Sequence, residues 1–154
     1  MLKKGKARAV VDLKWSGERY RRESLEAGAA LQLATYAELL RQDGADEVAV
    51  GYFIIVSQAI LSADSRLTKN GAALPVSHDI EATWRDLERS WKAAWKQVSM
   101  GSLSAPGALA GAAEQTARDE DGALVFSAPC KFCDYAGLCG RLYGTLEEDE
   151  DGED

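Results

Sequence analysis

The stretch that most narrows the fold is residues 48–57, where Tyr52, Phe53, Ile54, Ile55 and Val56 follow one another without polar alternation. A short, continuous apolar run of this kind predicts a strand buried on both faces, since a half-buried strand alternates with period two and a helix needs more length. Upstream, residues 23–42 are rich in Leu, Ala and Glu and free of proline, which predicts one long helix ended near Asp43 and Gly44. Before it, residues 6–15 (KARAVVDLKW) carry Ala9, Val10, Val11 and Leu13 and read as a second strand, joined to the helix by a polar loop over 16–22. Strand, helix, strand at this spacing is a βαβ unit, so the two strands are expected to be parallel with a right-handed crossover. The fold class is α/β.

Beyond a Gly- and Pro-containing loop at 70–75, residues 79–100 predict another long helix. Ile80, Trp84, Leu87, Trp91, Trp95 and Val98 recur every three or four positions along it. Such a stripe is expected to lie in the core; stacking of the tryptophans on nucleobases is the rarer use of the same pattern. Residues 102–121 read as a Gly/Ala/Ser-rich linker with a short helix over 109–118, and 123–127 as a short extended piece. The longest apolar run, 48–61, is interrupted by Gly51, Tyr52, Ser57 and Gln58 and is too short to span a membrane. No apolar stretch follows the N-terminal lysines, which argues against a secretory signal. Three cysteines within ten residues do not make a disulfide framework, so the expected compartment is the cytoplasm.

Charge is segregated along the chain. The net charge is −7, from 25 acidic against 18 basic residues, and seven of the acids lie in the last eight positions. Residues 144–154 are therefore expected to be a disordered acidic tail, because like charges repel and little there is apolar. The first 22 residues are basic: Lys3, Lys4, Lys6, Arg8, Lys14, Arg19, Arg21 and Arg22 face only Asp12 and Glu18. A basic segment beside a metal site suits a phosphodiester, since phosphate contacts supply much of nucleic-acid affinity. A solvated terminus has the same composition.

Three motifs carry chemistry. Asp12, Leu13 and Lys14 end the first strand; residues two apart share a face, so carboxylate and ammonium stand side by side. A hard cation such as Mg²⁺ takes oxygen ligands, which the Asp12 carboxylate and the Leu13 carbonyl can offer. Lys14 is then placed to hold a water or the charge that develops on phosphorus. The bland reading is a same-face ion pair. Next, Gln32 and Tyr36 lie one turn apart on the helix, in a face running Leu25, Gly28, Gln32, Tyr36, Leu39. A glutamine in that stripe needs partners for its amide, either beside the metal site or, at the stripe's edge, in solvent. Last, Cys130, Cys133 and Cys139 form a C-x2-C-x5-C run after Pro129, a spacing that suits a bound metal or cluster.

Taken together, VVDLKW, LQLATY and CKFCDYAGLC resemble the RecB-like branch of the PD-(D/E)XK nucleases, in particular its iron–sulfur members such as the AddB-type helicase–nuclease subunits and the CRISPR-associated adaptation nucleases. The resemblance covers residues 6–143. It implies a restriction-endonuclease-like core and Mg²⁺- or Mn²⁺-dependent DNA cleavage in repair or recombination. Asp12 and Lys14 take the positions of the D-x-K acid and lysine, Gln32 and Tyr36 those of Q-x-x-x-Y. Cys130, Cys133 and Cys139 take those of three ligands to a 4Fe-4S cluster. Members of the branch carry a helix and two strands before the D-x-K strand, with a first metal-binding aspartate, a histidine and the fourth cysteine. Residues 1–143 are accordingly expected to be the C-terminal part of such a domain: a βαβ unit followed by helices and the Cys-rich segment. Its partners are then DNA and an upstream nuclease fragment or helicase subunit, and its first strand is expected to show a bare edge.

Two other readings fit the residues. One is a DNA-binding or structural module that keeps the fold without the chemistry. The other is a small zinc-binding protein, with His78, the single histidine, as a fourth ligand beside the cysteines.

Overall fold

Gly5 and Lys6 reverse the chain between its first two strands. In the computed structural model, which describes residues 1–68, 72–103, 117–118, 124–126 and 134, strand β1 (Leu2–Lys4) turns through Gly5, at φ +60°, into β2 (Ala7–Lys14). Two helices follow, α1 (Glu18–Glu26) and α2 (Leu31–Gln42), and then the apolar run enters as β3 (Glu47–Ile54). A hairpin leads into β4 (Ala59–Leu61), and helix α3 spans Ile80–Ser99. The four strands form one mixed sheet in the order β1-β2-β3-β4. Its centre is the parallel β2–β3 pair expected from the spacing, with Val10 opposite Val50, Asp12 opposite Tyr52 and Lys14 opposite Ile54; both outer pairs are antiparallel.

Several expectations are corrected. The polar segment 16–22 is not a loop; most of it is the first half of α1, supported by the Glu18–Arg22 and Arg19–Glu23 ion pairs at helical spacing. The single helix over 23–42 is two helices. Gly28, at φ +61°, ends α1: the Gly28 N–H donates to the Leu25 carbonyl and the Ala29 N–H to the Ser24 carbonyl, the bonding of a Schellman cap. The β2 edge is not bare throughout, because β1 pairs with Ala7, Arg8 and Ala9. Ala117 and Arg118 are strand β5, paired with β6 (Leu124–Val125), where a short helix was expected.

The chain divides into two compact units, Met1–Ser90 and Trp91–Asp154. The core of the first unites Leu25, Ala30, Leu33 and Ala37 of the helical side with Val50, Tyr52, Ile54 and Leu61 of the sheet; Val10, Val48, Tyr36, Leu74 and Ile80 pack against it. A fully buried leucine such as Leu33 contributes about 2 kcal/mol by leaving water. Period two puts Asp12 and Lys14 on the same face of β2 as Val10, toward α2.

At the opening of α3, Thr83 Oγ1 donates to the Gly28 carbonyl at 3.0 Å and the Ser77 N–H to the Glu26 carbonyl at 2.9 Å, which pins the α1–α2 junction. The tryptophan stripe of α3 departs from expectation. Trp84 and Leu87 are half-buried, but Trp91 and Trp95 are 63% and 62% exposed and stack on each other at 6.1 Å. Periodicity says which side chains share a face, not what covers that face. No described helix is long and apolar enough to cross a membrane. The acidic tail lies outside the described residues.

Candidate active site

The end of β2 and the first turns of α2 bring four of the sequence-predicted side chains together. Lys14 Nζ stands 2.9 Å from Asp12 Oδ2 and donates a hydrogen bond to Gln32 Oε1, also at 2.9 Å. Gln32 Nε2 in turn donates to Tyr36 Oη at 2.8 Å. Carboxylate, ammonium, amide and phenol thus form one chain of contacts from strand to helix. Gln32 sits at the edge of the buried stripe, not within it; the α2 residues facing the core are Leu33, Ala34 and Ala37, and Gln32 itself is exposed. Its amide finds both partners in the cluster.

Asp12 and Lys14 are mostly covered, with 16% and 22% of their side-chain surfaces exposed. Asp12 Oδ2 is buried and accepts no hydrogen bond despite the nearby ammonium. The contact has the length of an ion pair without the direction of a donated proton. The Lys14 ammonium beside the carboxylate offsets its charge, and the lone pairs the lysine does not engage stay available as oxygen donors. That is the donor chemistry a hard cation needs.

The Leu13 carbonyl faces away from β3. Lys14 O accepts the Ile55 N–H at 2.8 Å, so Leu13 O, one residue earlier on a pleated strand, points to the opposite edge. There β1 reaches only to Ala9. A divalent ion bound here would have the Asp12 carboxylate and the Leu13 carbonyl as candidate protein oxygens, with waters and substrate oxygens for the rest. Among the described residues no group of three His, Cys, Asp or Glu side chains gathers to hold a metal. His78 is elsewhere: its Cβ lies over Gly28 and its Nδ1 is 3.2 Å from Ser77 Oγ. Cys130, Cys133 and Cys139 lie outside the described residues.

Two participants were not foreseen. Tyr52, opposite Asp12 in the β2–β3 register, is 2% exposed, and Lys14 Nζ lies 5.9 Å from its ring centre. Burial pushes its phenol up to about 12; the nearby Arg21 guanidinium opposes that shift and the Asp12 carboxylate adds to it. Arg21 lies over Tyr52 at 5.6 Å and over Tyr20 at 5.0 Å. The only sequence signal for Tyr52 was its place in the apolar run, a polar tip in an otherwise apolar strand.

The raised phenol has a consequence for stability. The unfolded chain loses this proton near pH 10, whereas the folded chain holds it to about 12, so the contribution is complete below pH 10 and is lost as pH rises toward 12. Tyr52→Phe removes that titration. The stability of wild type relative to Tyr52→Phe is expected to fall by roughly 2–3 kcal/mol between pH 9 and 12, measured by urea denaturation at each pH; a constant difference would contradict it.

A mixed sheet whose central parallel strand ends in an acid–lysine pair, covered by a helix carrying amide and phenol, defines a restriction-endonuclease-like α/β protein. The chain matches the family model of the PD-(D/E)XK nuclease superfamily over residues 2–140 and belongs to that superfamily. No curated protein and no solved structure matches it.

Proposed function

We propose that this chain is a metal-dependent deoxyribonuclease module of RecB-like type. The observation that supports it is the continuous contact from Asp12 through Lys14 and Gln32 to Tyr36. Asp12 and the Leu13 carbonyl would hold Mg²⁺ or Mn²⁺, which when bound polarises a phosphate oxygen and lowers the pKa of a bound water. Lys14 supplies a fixed positive charge where charge builds on phosphorus. Gln32, anchored by Tyr36, keeps that ammonium from swinging into solvent, an arrangement already organised before substrate arrives. In the reaction a water oxygen bonds to phosphorus, an ester P–O bond breaks, and the departing oxygen takes up a proton.

DNA as substrate is supported by the basic start of the chain. Lys3, Lys4, Lys6 and Arg8 sit on or beside the β1–β2 hairpin, and Arg8 and Lys14 are six residue steps apart on β2, about 20 Å at ~3.3 Å per residue. They suit backbone contacts several nucleotides from the scissile bond. Work in repair or recombination, a helicase-subunit partner and a cytoplasmic setting belong to the same reading and rest on the resemblance. A 4Fe-4S cluster on Cys130, Cys133 and Cys139 rests on the cysteine spacing; anaerobic purification giving a brown, visibly absorbing protein supports it, and a colourless protein holding zinc rejects it.

The deciding experiment is Mg²⁺- or Mn²⁺-dependent cleavage of single-stranded and duplex-end DNA by the full gene product, with Asp12→Ala and Lys14→Ala as controls. Cleavage that needs the ion and both side chains is expected; cleavage indifferent to both substitutions rejects the site. One observation favours a second reading, a DNA-binding module without chemistry: among the described residues no group of three His, Cys, Asp or Glu side chains gathers to hold a metal. DNA binding with no cleavage under any divalent ion would establish it.

A further inference from the structure

Arg21 lies in a segment read from sequence as a polar loop, and nothing in the D-x-K or Q-x-x-x-Y patterns points to it. Its guanidinium stands over the faces of two rings, Tyr20 and Tyr52, at 5.0 and 5.6 Å. Its Nε is buried and makes no hydrogen bond. The neighbouring arginines of α1 are satisfied: Arg19 pairs with Glu23 and Arg22 with Glu18. Arg21, half-buried between them in sequence, has no carboxylate within ion-pair distance among the described residues.

Aromatic faces fix the plane of a guanidinium without using its N–H groups, so stacking leaves the donor fork unspent. The buried Nε–H without a partner is costly on its own, and an anion held by the guanidinium offsets that cost. The position favours one source for that anion. Arg21 lies 5.6 Å and Lys14 Nζ 5.9 Å from the centre of the Tyr52 ring, and Tyr52 stands opposite Asp12 in the β2–β3 register, so the guanidinium and the Asp12–Lys14 pair border the same buried ring. The carboxylate belongs to the ion site. A negatively charged group held by that ion comes within the field of the free fork.

We propose that Arg21 is a phosphate-binding residue of this site, taking non-bridging oxygens of the nucleic-acid backbone at or next to the scissile phosphodiester. The inference rests on the nuclease reading and adds to it a substrate contact on α1. Tyr52 presents the buried ring that orients the fork, and Tyr20, nearly half exposed, covers its outer face. A guanidinium binds a phosphate through two parallel N–H···O bonds, which lysine cannot reproduce. Arg21→Lys therefore keeps the charge and loses the grip.

The test measures binding apart from cleavage. Anisotropy of a labelled single-stranded oligonucleotide is titrated with wild type, Arg21→Ala, Arg21→Lys and Asp12→Asn, in EDTA, over a range of KCl. Arg21→Ala is expected to weaken binding about ten- to a hundredfold, as for the loss of a charge-assisted pair. It should also reduce the slope of log affinity against log salt by about 0.7, the counterion share of one phosphate contact on a single strand. Arg21→Lys is expected to restore the slope but only part of the affinity. Asp12→Asn should not weaken binding, since it removes a negative charge. A thermal melt of each variant guards against misfolding, and if Arg21→Ala does not fold, Arg21→Lys carries the test through its affinity loss at unchanged slope. Unchanged affinity and slope in the folded Arg21 variants would overturn the proposal even where Asp12→Asn abolishes cleavage. Cleavage by Asp12→Asn at the wild-type rate would instead overturn the nuclease reading.

Discussion

Asp12→Asn is expected to lower divalent-ion-dependent DNA cleavage by about a thousandfold or more, equal to about 4 kcal/mol in the barrier. The folded state should change far less. Asparagine keeps the shape of the side chain and one oxygen at the same place, and Lys14 retains its bond to Gln32 Oε1. The lost ion pair is largely but not fully covered, which puts its contribution at about 1–2 kcal/mol, between an exposed pair and a fully buried one. The separation of these magnitudes identifies the role: a structural ion pair loses stability and activity together, whereas an ion ligand loses activity alone. Single-turnover cleavage read beside a urea melt separates the two, and a direct Mn²⁺ titration should show binding weakened in the variant. Asp12→Asn cutting within tenfold of wild type would remove Asp12 from the chemistry.

What could be read from sequence followed the strength of the local signal. The apolar run entering β3 and the short core of β2 announced two parallel strands, although the run overshoots its strand: β3 ends at Ile54, and Ile55 and Val56 beyond it are exposed. Period two then put Asp12 beside Lys14, and helical spacing put Gln32 beside Tyr36, so both halves of the cluster were legible. That they meet depends on α2 packing on the β2–β3 face, a tertiary fact inferred from topology. The first half of α1 was missed because SGERYRR is polar throughout, although Glu18–Arg22 and Arg19–Glu23 at i,i+4 were a readable helix signal. Strand β4 was missed because its turn uses Gln58 at φ +53°, a conformation no glycine or asparagine advertised. The exposed pair Trp91 and Trp95 shows the reverse error, a periodic stripe taken for a buried one. Arg21 was out of reach, since an unpaired guanidinium is visible only once its neighbours are placed.

Gly28→Ala is expected to cost about 2–5 kcal/mol, a fall of roughly 5 to 15 °C in melting temperature for a chain of this size. Two independent terms add. The residue sits at φ +61°, where an L side chain costs about 1–2 kcal/mol. An added Cβ would also stand 2.7 Å from His78 Cβ, and that atom belongs to a segment held by the Ser77 N–H to the Glu26 carbonyl, so relief requires the backbone to move. Overpacking of this kind costs about 1–3 kcal/mol. Gly44→Ala isolates the first term, since Gly44 lies at φ +79° with nothing within 4 Å of a new Cβ. His78→Gly in the Gly28→Ala background isolates the second by removing the opposing Cβ, and the double-mutant cycle reads their coupling. Because this junction aims α2, and with it Gln32 and Tyr36, at Lys14, Gly28→Ala should lose cleavage at temperatures where the protein is still folded. If instead it costs no more than Gly44→Ala and cuts DNA at the wild-type rate, the close approach of His78 does nothing, and the aim of α2 is set by its packing on the sheet alone.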